Sequence, residues 1–271
     1  MRANRALGER SRPRRPRIIV ALFGMQVLWI VLPAQAFANR IDDAVQKIGD
    51  GKLRFEYAAR PGVYGNGHSI TIRGHRVDEQ DLDWRYEPGP VRVVVTMRDR
   101  NVSRVKHSVG GQWSSTPRNT TDLGEVPPQD AVAFLMQLAR DARASVAEDA
   151  IAAAALAADV ELWPQLLEIA RQRDRARDVR KSAMFWLGQA AVDAVLGDLD
   201  EMAMDENDEI EVREAAVFAI SQRPADESVP TLIRIARSDA HPKIRKSAVF
   251  WLSQTDDQRV VEFFEEVLSD R

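Results

Sequence analysis

The stretch Val179-Arg-Lys-Ser-Ala-Met-Phe-Trp-Leu-Gly-Gln189 returns as Val212-Arg-Glu-Ala-Ala-Val-Phe-Ala-Ile-Ser-Gln222 and again as Ile244-Arg-Lys-Ser-Ala-Val-Phe-Trp-Leu-Ser-Gln254. The copies begin 33 and 32 residues apart, a period that belongs to stacked helical hairpins, each too small to bury its own apolar face alone. Ala183 to Leu187, Ala215 to Ile220 and Ala248 to Leu252 are unbroken apolar runs. A surface helix with one apolar stripe would interrupt such a run with polar side chains. Each copy is therefore expected to be an inner helix buried on several sides. Ser182-Ala183, Ala215-Ala216 and Ser247-Ala248 permit close approach of neighbouring helices, and Phe185, Phe218 and Phe250 are expected to fill the wider gaps.

Working outward, a second helical pattern stands ahead of each copy. Leu138-Ala-Arg140, Ile169-Ala-Arg171, Met202-Ala-Met204 and Ile235-Ala-Arg237 occupy matching places. Paired helices are expected over 129–158, 160–191, 193–224 and 226–255, followed by a terminal helix from Arg259 to Leu268. Pro164 and Pro230 lie near the expected starts of two outer helices, where a missing N–H costs nothing. The first unit, with Ala147-Glu-Asp-Ala-Ile-Ala-Ala-Ala-Ala155, has neither the arginine nor the aromatics. An atypical first unit is what capping a repeat array requires.

These residues resemble HEAT repeats, including the short bacterial form called phycobilisome-lyase-like. The likeness rests on the Val/Ile-Arg opening of each inner helix, the small residues after it, and an acid or amide six positions before each arginine. It implies a side-chain ladder pairing Asp174 with Arg180, Asn207 with Arg213 and Asp239 with Arg245. It also implies a protein-binding scaffold. Bilin-lyase activity belongs to a few members with sites of their own, and a fold does not carry a function.

The N-terminus is of another kind. Seven arginines lie between Arg2 and Arg17, an uncharged run extends from Ile18 to Leu32, and Pro33-Ala-Gln-Ala-Phe-Ala38 ends in alternating small residues. This is the plan of a secretory signal peptide, with cleavage expected after Ala38 and Ala36 as the competing site. The other reading is an uncleaved anchor, since the run is only slightly short of the ~18 residues of a spanning helix. Arg14-Arg15 also fits a twin-arginine exporter. Removal of residues 1–38 takes the formal net charge from −3 to −9, because they carry seven Arg and one Glu. An acidic exported protein, periplasmic or extracellular, has no general attraction for phosphate backbones, so no nucleic-acid partner is expected. The chain has no cysteine, which excludes disulfides, thiolate metal sites and cysteine nucleophiles.

Between leader and repeats the hydrophobic period changes. Ile41, Ala44, Val45 and Ile48 have helical spacing. Beyond Gly51, Leu53, Phe55 and Tyr57 alternate with polar residues, as do Val91, Val93, Val95 and Met97, and strands are expected there, at Ser69 to Arg73 and at Val102 to Val109. Arg98-Asp-Arg-Asn101 is the expected hairpin turn, with Asn101 able to take a left-handed backbone. Arg118 to Pro128 reads as a polar linker. The fold class is therefore α+β: a small antiparallel β subdomain over 39–125, then an all-α HEAT-like solenoid of about four helix pairs and a terminal helix over 126–271.

Chemistry is harder to find. His68, His75 and His107 accompany Asp78, Glu79, Asp81 and Asp83, but their spacing matches no metal-ligand pattern, and no metal or cofactor is expected. Tyr57, Tyr64, Trp84, Tyr86 and Trp113 are expected to make the core of the small sheet rather than a binding groove. Asp205-Glu-Asn-Asp-Glu209 lacks the glycine of a calcium loop and reads as a solvated connection. No phosphate loop, nucleophile elbow or His-Glu-x-x-His sequence occurs. The chain is expected to be a non-catalytic scaffold, not an enzyme, that binds a protein or peptide, with no integral membrane span once the leader is removed. Lys181, Glu214 and Lys246 at equivalent positions, and Gln189, Gln222 and Gln254 at the helix ends, are the expected contacts. Ala219, standing where the other copies have Trp186 and Trp251, is expected to leave a shallow notch. The alternative is a ligand or catalytic site in the β subdomain, supported by the repeats.

Overall fold

Hairpin repeats with short polar turns fold locally, and the computed structural model places them where the period does. It describes residues 35–72, 86–113, 118–189, 196–238 and 241–269. The expected leader through residue 34, His75, Asp78, Glu79, Asp81, Asp83, Trp84 and Asp239 lie outside the described residues. The outer and inner helices pair as α2 (Pro128–Asp141) with α3 (Ala144–Ala154), α4 (Trp163–Arg171) with α5 (Arg177–Gly188), α6 (Leu196–Met204) with α7 (Ile210–Ser221), and α8 (Ala225–Ser238) with α9 (Pro242–Ser253). The terminal helix α10 spans Gln258–Ser269. Inner helices α3, α5, α7 and α9 pack in a row, each against the next. Their small residues carry the closest approach: Ala183, Ala216 and Ala248 are fully buried.

Two outer-helix starts differ from each other. Pro164 sits in the first turn of α4, as expected. Pro230 lies inside α8, which begins five residues earlier at Ala225. The extra turn is preceded by buried Arg223, whose Nε and Nη2 donate to Glu227 at 3.0 and 2.7 Å.

The N-terminal helix α1 (Gln35–Lys47) buries Ile41 and packs on α2. Strand β1 (Gly51–Tyr57) follows, with short β2 (Val63–Gly65) and β3 (Ile70–Ile72) pairing apart as a two-stranded sheet. β4 (Val91–Arg98), β5 (Asn101–Val109) and β6 (Thr120–Glu125) complete a four-stranded sheet of order β5-β4-β1-β6. Leu53, Phe55 and Tyr57 of β1 pair with Val95, Val93 and Val91 of β4, so one face is entirely apolar and buried. The β4–β5 turn puts positive φ on Asp99 (51°) and Arg100 (62°) rather than on Asn101. A two-residue hairpin of this kind needs both central residues left-handed to match strand twist, and Asn101 instead donates from Nδ2 to Asp99 O at 2.8 Å.

The stretch read as a linker contains β6, which runs parallel to β1. It is an edge strand with scarcely any buried side chain, so it shows none of the alternation that marks a strand in sequence. Arg54 holds it, donating from Nε and Nη2 to Asp122 at 2.8 and 2.6 Å. Trp113 also departs from expectation. It lies on the polar outer face of the sheet, with the Arg54 and Arg92 guanidinium groups 4.8 and 5.6 Å from its ring centre, and donates to Glu56 at 3.1 Å. Tyr57 is in the core as expected.

Sheet and repeats share one core. Phe55 meets Phe134 of α2 edge-on, ring centres 6.2 Å apart, and the Tyr57 hydroxyl donates to Ala153 O of α3 at 2.7 Å. Burial pushes the Tyr57 phenol far above its ordinary pKa, so it stays a donor. A short bridge pairs Ala59 with Ala157. The alanine-rich α3 thus has the sheet on the side where later repeats have another helix pair, which is why it lacks the aromatics and the arginine.

Candidate functional site

Three residues recur along each inner helix one face apart: Asp178, Lys181, Phe185 on α5; Glu211, Glu214, Phe218 on α7; Lys243, Lys246, Phe250 on α9. The steps of three and four residues put each set on one stripe. The stripes lie side by side and, except for Asp178, line an open groove of about 780 Å³ together with Ala215, Ser247 and Trp251.

The phenylalanines are not the buried gap-fillers expected. Phe185 is 38% and Phe250 53% exposed. They belong to a continuous aromatic row: Phe185 stacks on Phe218, ring centres 5.8 Å apart and 9° from parallel, Phe218 meets Trp251 at 5.0 Å, and Trp251 meets Phe250 at 4.9 Å. The residue behind them makes this possible. Ala219 is fully buried rather than at a notch, because Gly188 lies against it; a Cβ on Gly188 would stand 2.8 Å from the Ala219 Cα. The tight α5–α7 crossing leaves no room for a third tryptophan.

Charge is arranged around the row. Lys181 lies 3.8 Å from Asp178, and Arg177 3.5 Å from Glu211. The Glu211 carboxyl is held below its ordinary pKa by its own backbone N–H at the helix start, and further by Arg177, Lys243 and Lys181. It is ionised near neutrality and accepts rather than donates. The liners Lys181, Lys243 and Lys246 outnumber Glu211 and Glu214.

Of the expected contacts, Lys181, Glu214 and Lys246 come together in the groove, whereas the glutamines do not line it. Gln189, Gln222 and Gln254 cap the inner helices; Gln189 Nε2 reaches Gln222 Oε1 at 3.5 Å, and Gln254 Nε2 donates to Ser253 Oγ of its own helix at 3.2 Å. The expectation missed Phe185, Phe218, Phe250, Lys243 and Glu211, although their equivalent spacing in the copies was a signal that could have found them.

The ladder also has other rungs than expected. Arg180 and Arg213 are 2% and 1% exposed, and each Nε donates at 2.8 Å to the carbonyl of an outer-helix alanine, Ala170 and Ala203. The acid on Arg180 is Asp208 of the following repeat, not Asp174: Nη1 donates to its Oδ1 at 2.8 Å and Nη2 to its Oδ2. Asp174 is exposed in its own turn, while the next turn carries Asp208 under the guanidinium. Asn207 instead folds back on Asp205, its N–H donating to Oδ1 at 3.1 Å. The acidic connection is therefore only partly solvated, since the Asp208 side chain is 5% exposed.

A smaller cleft of about 130 Å³ lies where the sheet meets the repeats, between Arg60, Trp163 and Trp186. Arg60 Nη1 donates to Gln189 O at 3.2 Å, and its Nε is buried with no partner among the described residues. His68 is exposed. His107 sits largely buried near Asp149; burial lowers its pKa and Asp149 partly offsets this. Among the described residues no cluster of three potential metal ligands forms, and no helix is long and apolar enough to cross a membrane.

Stacked two-helix repeats, with a buried arginine on inner helices α5 and α7, define a HEAT-like helical region. A family model of HEAT repeats matches residues 201–271. Among solved structures, the complex of CpcE and CpcF of phycocyanin lyase from Nostoc sp. PCC7120 is similar at 21% identity and a TM-score of 0.40, over 51% of this chain and 89% of that chain. No curated protein matches the sequence.

Proposed function

We propose that the protein is an exported, non-catalytic scaffold that holds a protein or peptide segment in the groove across α5, α7 and α9. The observation that carries this reading is the exposed aromatic row between Phe185 and Phe250, set among lysines and glutamates. Soluble proteins seldom leave such rings to water, and an aromatic strip with a polar rim is how contact surfaces are built. Pull-down from the exporting cell tests it: Phe250→Ala with Lys246→Ala is expected to lose partners that the wild-type chain retains. Retention of every partner by that variant removes the groove from the account. Export is supported by the leader pattern of residues 1–38. Mass measurement of the exported protein is expected to give Asn39 as its first residue, and a full-length cytosolic product would refute export. Cleavage there removes the first four residues of α1 and leaves buried Ile41 in place.

A second reading places a small anion in the Arg60 cleft, favoured by the buried Nε that has no partner among the described residues, with Glu161 of the same lining occupied by the Trp163 Nε1 donor. Thermal shift of the full chain with acetate and inorganic phosphate, set against Arg60→Met, tests it; equal responses of the two proteins would dismiss it.

A further inference from the structure

The exposed large hydrophobic residues among those described are Phe185, Phe250, Val261, Val267 and Leu268. They fall in two patches, the groove and α10. On α10, Val261 and Leu268 are 49% and 66% exposed and share a face with half-buried Phe264 and with Glu265, while Glu262 borders it. Among the described residues, Glu262 and Glu265 enter no ion pair, unlike neighbouring Glu266, which binds Arg237. The α9 side of the groove has the opposite character: Lys243 and Lys246 are exposed beside Phe250 and, among the described residues, form no close ion pair, although Lys243 acts on Glu211 at longer range. One patch is apolar with acids; the other is aromatic, with three lysines against two glutamates and both α9 charges basic.

The dimensions agree as well. α10 has 12 residues, about 18 Å at ~1.5 Å per residue, and crossing from α5 over α7 to α9 takes two interhelical steps of about 8–10 Å each. From Val261 to Leu268 is about 10 Å on the same rise, one such step. An apolar anchor at each position would meet successive rings of the aromatic row.

We propose that the groove takes the α10 face of a second copy of this chain. This rests on the groove being a docking surface and names its occupant. Val261, Phe264 and Leu268 of one copy lie along the aromatic row of the next, and Glu262 and Glu265 face Lys243 and Lys246. The two surfaces differ, so the contact is heterologous: it propagates head to tail, into a ring if the rotation closes and an open chain if it does not. A helix face of this length makes a small interface, and the association is weak and rapidly reversible.

Sedimentation velocity on the full chain over a concentration series tests this. The expected result is a sedimentation coefficient that rises with concentration and falls back on adding salt, because exposed charge pairs are screened. Lys243→Glu with Lys246→Glu sets acids against acids, and Glu262→Lys with Glu265→Lys sets bases against bases. Each double variant is expected to associate about tenfold or more weakly. Their equimolar mixture restores opposite charges at every contact and regains association. All four side chains are exposed, so unfolding temperatures stay near the wild-type value. A chain that remains monomeric at every concentration overturns the inference, as does association that persists undiminished in both variants. Monomeric protein that still loses a foreign partner on Phe250→Ala overturns this occupant alone and leaves the proposed function standing.

Discussion

Arg180 shows how much of a repeat protein rests on one side chain. Its charge is buried, and among the described residues Asp208 and the Ala170 carbonyl offset the desolvation. Removing one partner of such a pair leaves the other uncompensated, so Arg180→Ala is expected to cost about 3–5 kcal/mol in denaturant unfolding. Asp174→Ala, in an exposed turn, should stay within about 0.5 kcal/mol. Equal losses would restore the pairing expected from sequence. Acid adds a second readout. Burial alone would raise the Asp208 pKa, but the Arg180 hydrogen bond, the Glu209 N–H, and the charges of Arg180 and Arg173 outweigh it and bring it below its ordinary 3.8. A depressed carboxylate stabilises the fold fully above its unfolded pKa, and that contribution is lost as pH falls through the folded value. Wild-type stability should therefore fall below about pH 3.8 more steeply than that of Arg180→Ala. The arginines were legible because they recur; their partners were not, because spacing along the chain does not say which repeat a side chain leans toward.

At the scale of elements, legibility followed burial on two faces. Inner helices carry dense apolar runs and were placed almost to the residue, as were β1, β4 and β5; the inward faces of β1 and β4 alternate strictly, while β5 buries Val105 and Val109. β6 was not, since an edge strand held by the Arg54–Asp122 pair has no apolar period to show. The aromatic row was misread for a related reason: periodicity identifies a helix stripe but not whether a neighbour covers it, and Phe185 and Phe250 occupy stripes that the described residues leave partly open. The α5–α7 crossing is the element-level test. Gly188 stands where the other copies have Ser221 and Ser253, so Gly188→Ser looks conservative. With the Ala219 Cα only 2.8 Å from a Cβ there, it must push the helices apart, and a loss of about 1–3 kcal/mol is expected in denaturant unfolding. An unchanged midpoint would mean that the crossing is looser than described.

For the molecule as a whole, the sequence divides at residue 125 while the core does not. Phe55 against Phe134, Tyr57 bonded to Ala153 and the Ala59–Ala157 bridge make the sheet and the first repeat one packing unit. Residues 39–125 expressed alone would expose the whole apolar face of the sheet. They are expected to show no cooperative thermal transition, whereas the full chain does; a sharp transition in the fragment would re-establish an independent domain.

The sheet against α3 also gives the array a direction of growth. With that side occupied, new hairpins are admissible only farther along the row, where each α5-like helix presents the same stripe to the next. Duplicating the 33-residue unit between α5 and α6 would lengthen the aromatic track by one ring while leaving every contact of the sheet untouched. Reach and foundation are thus separate variables: the aromatic track can lengthen without disturbing the packing that holds the sheet.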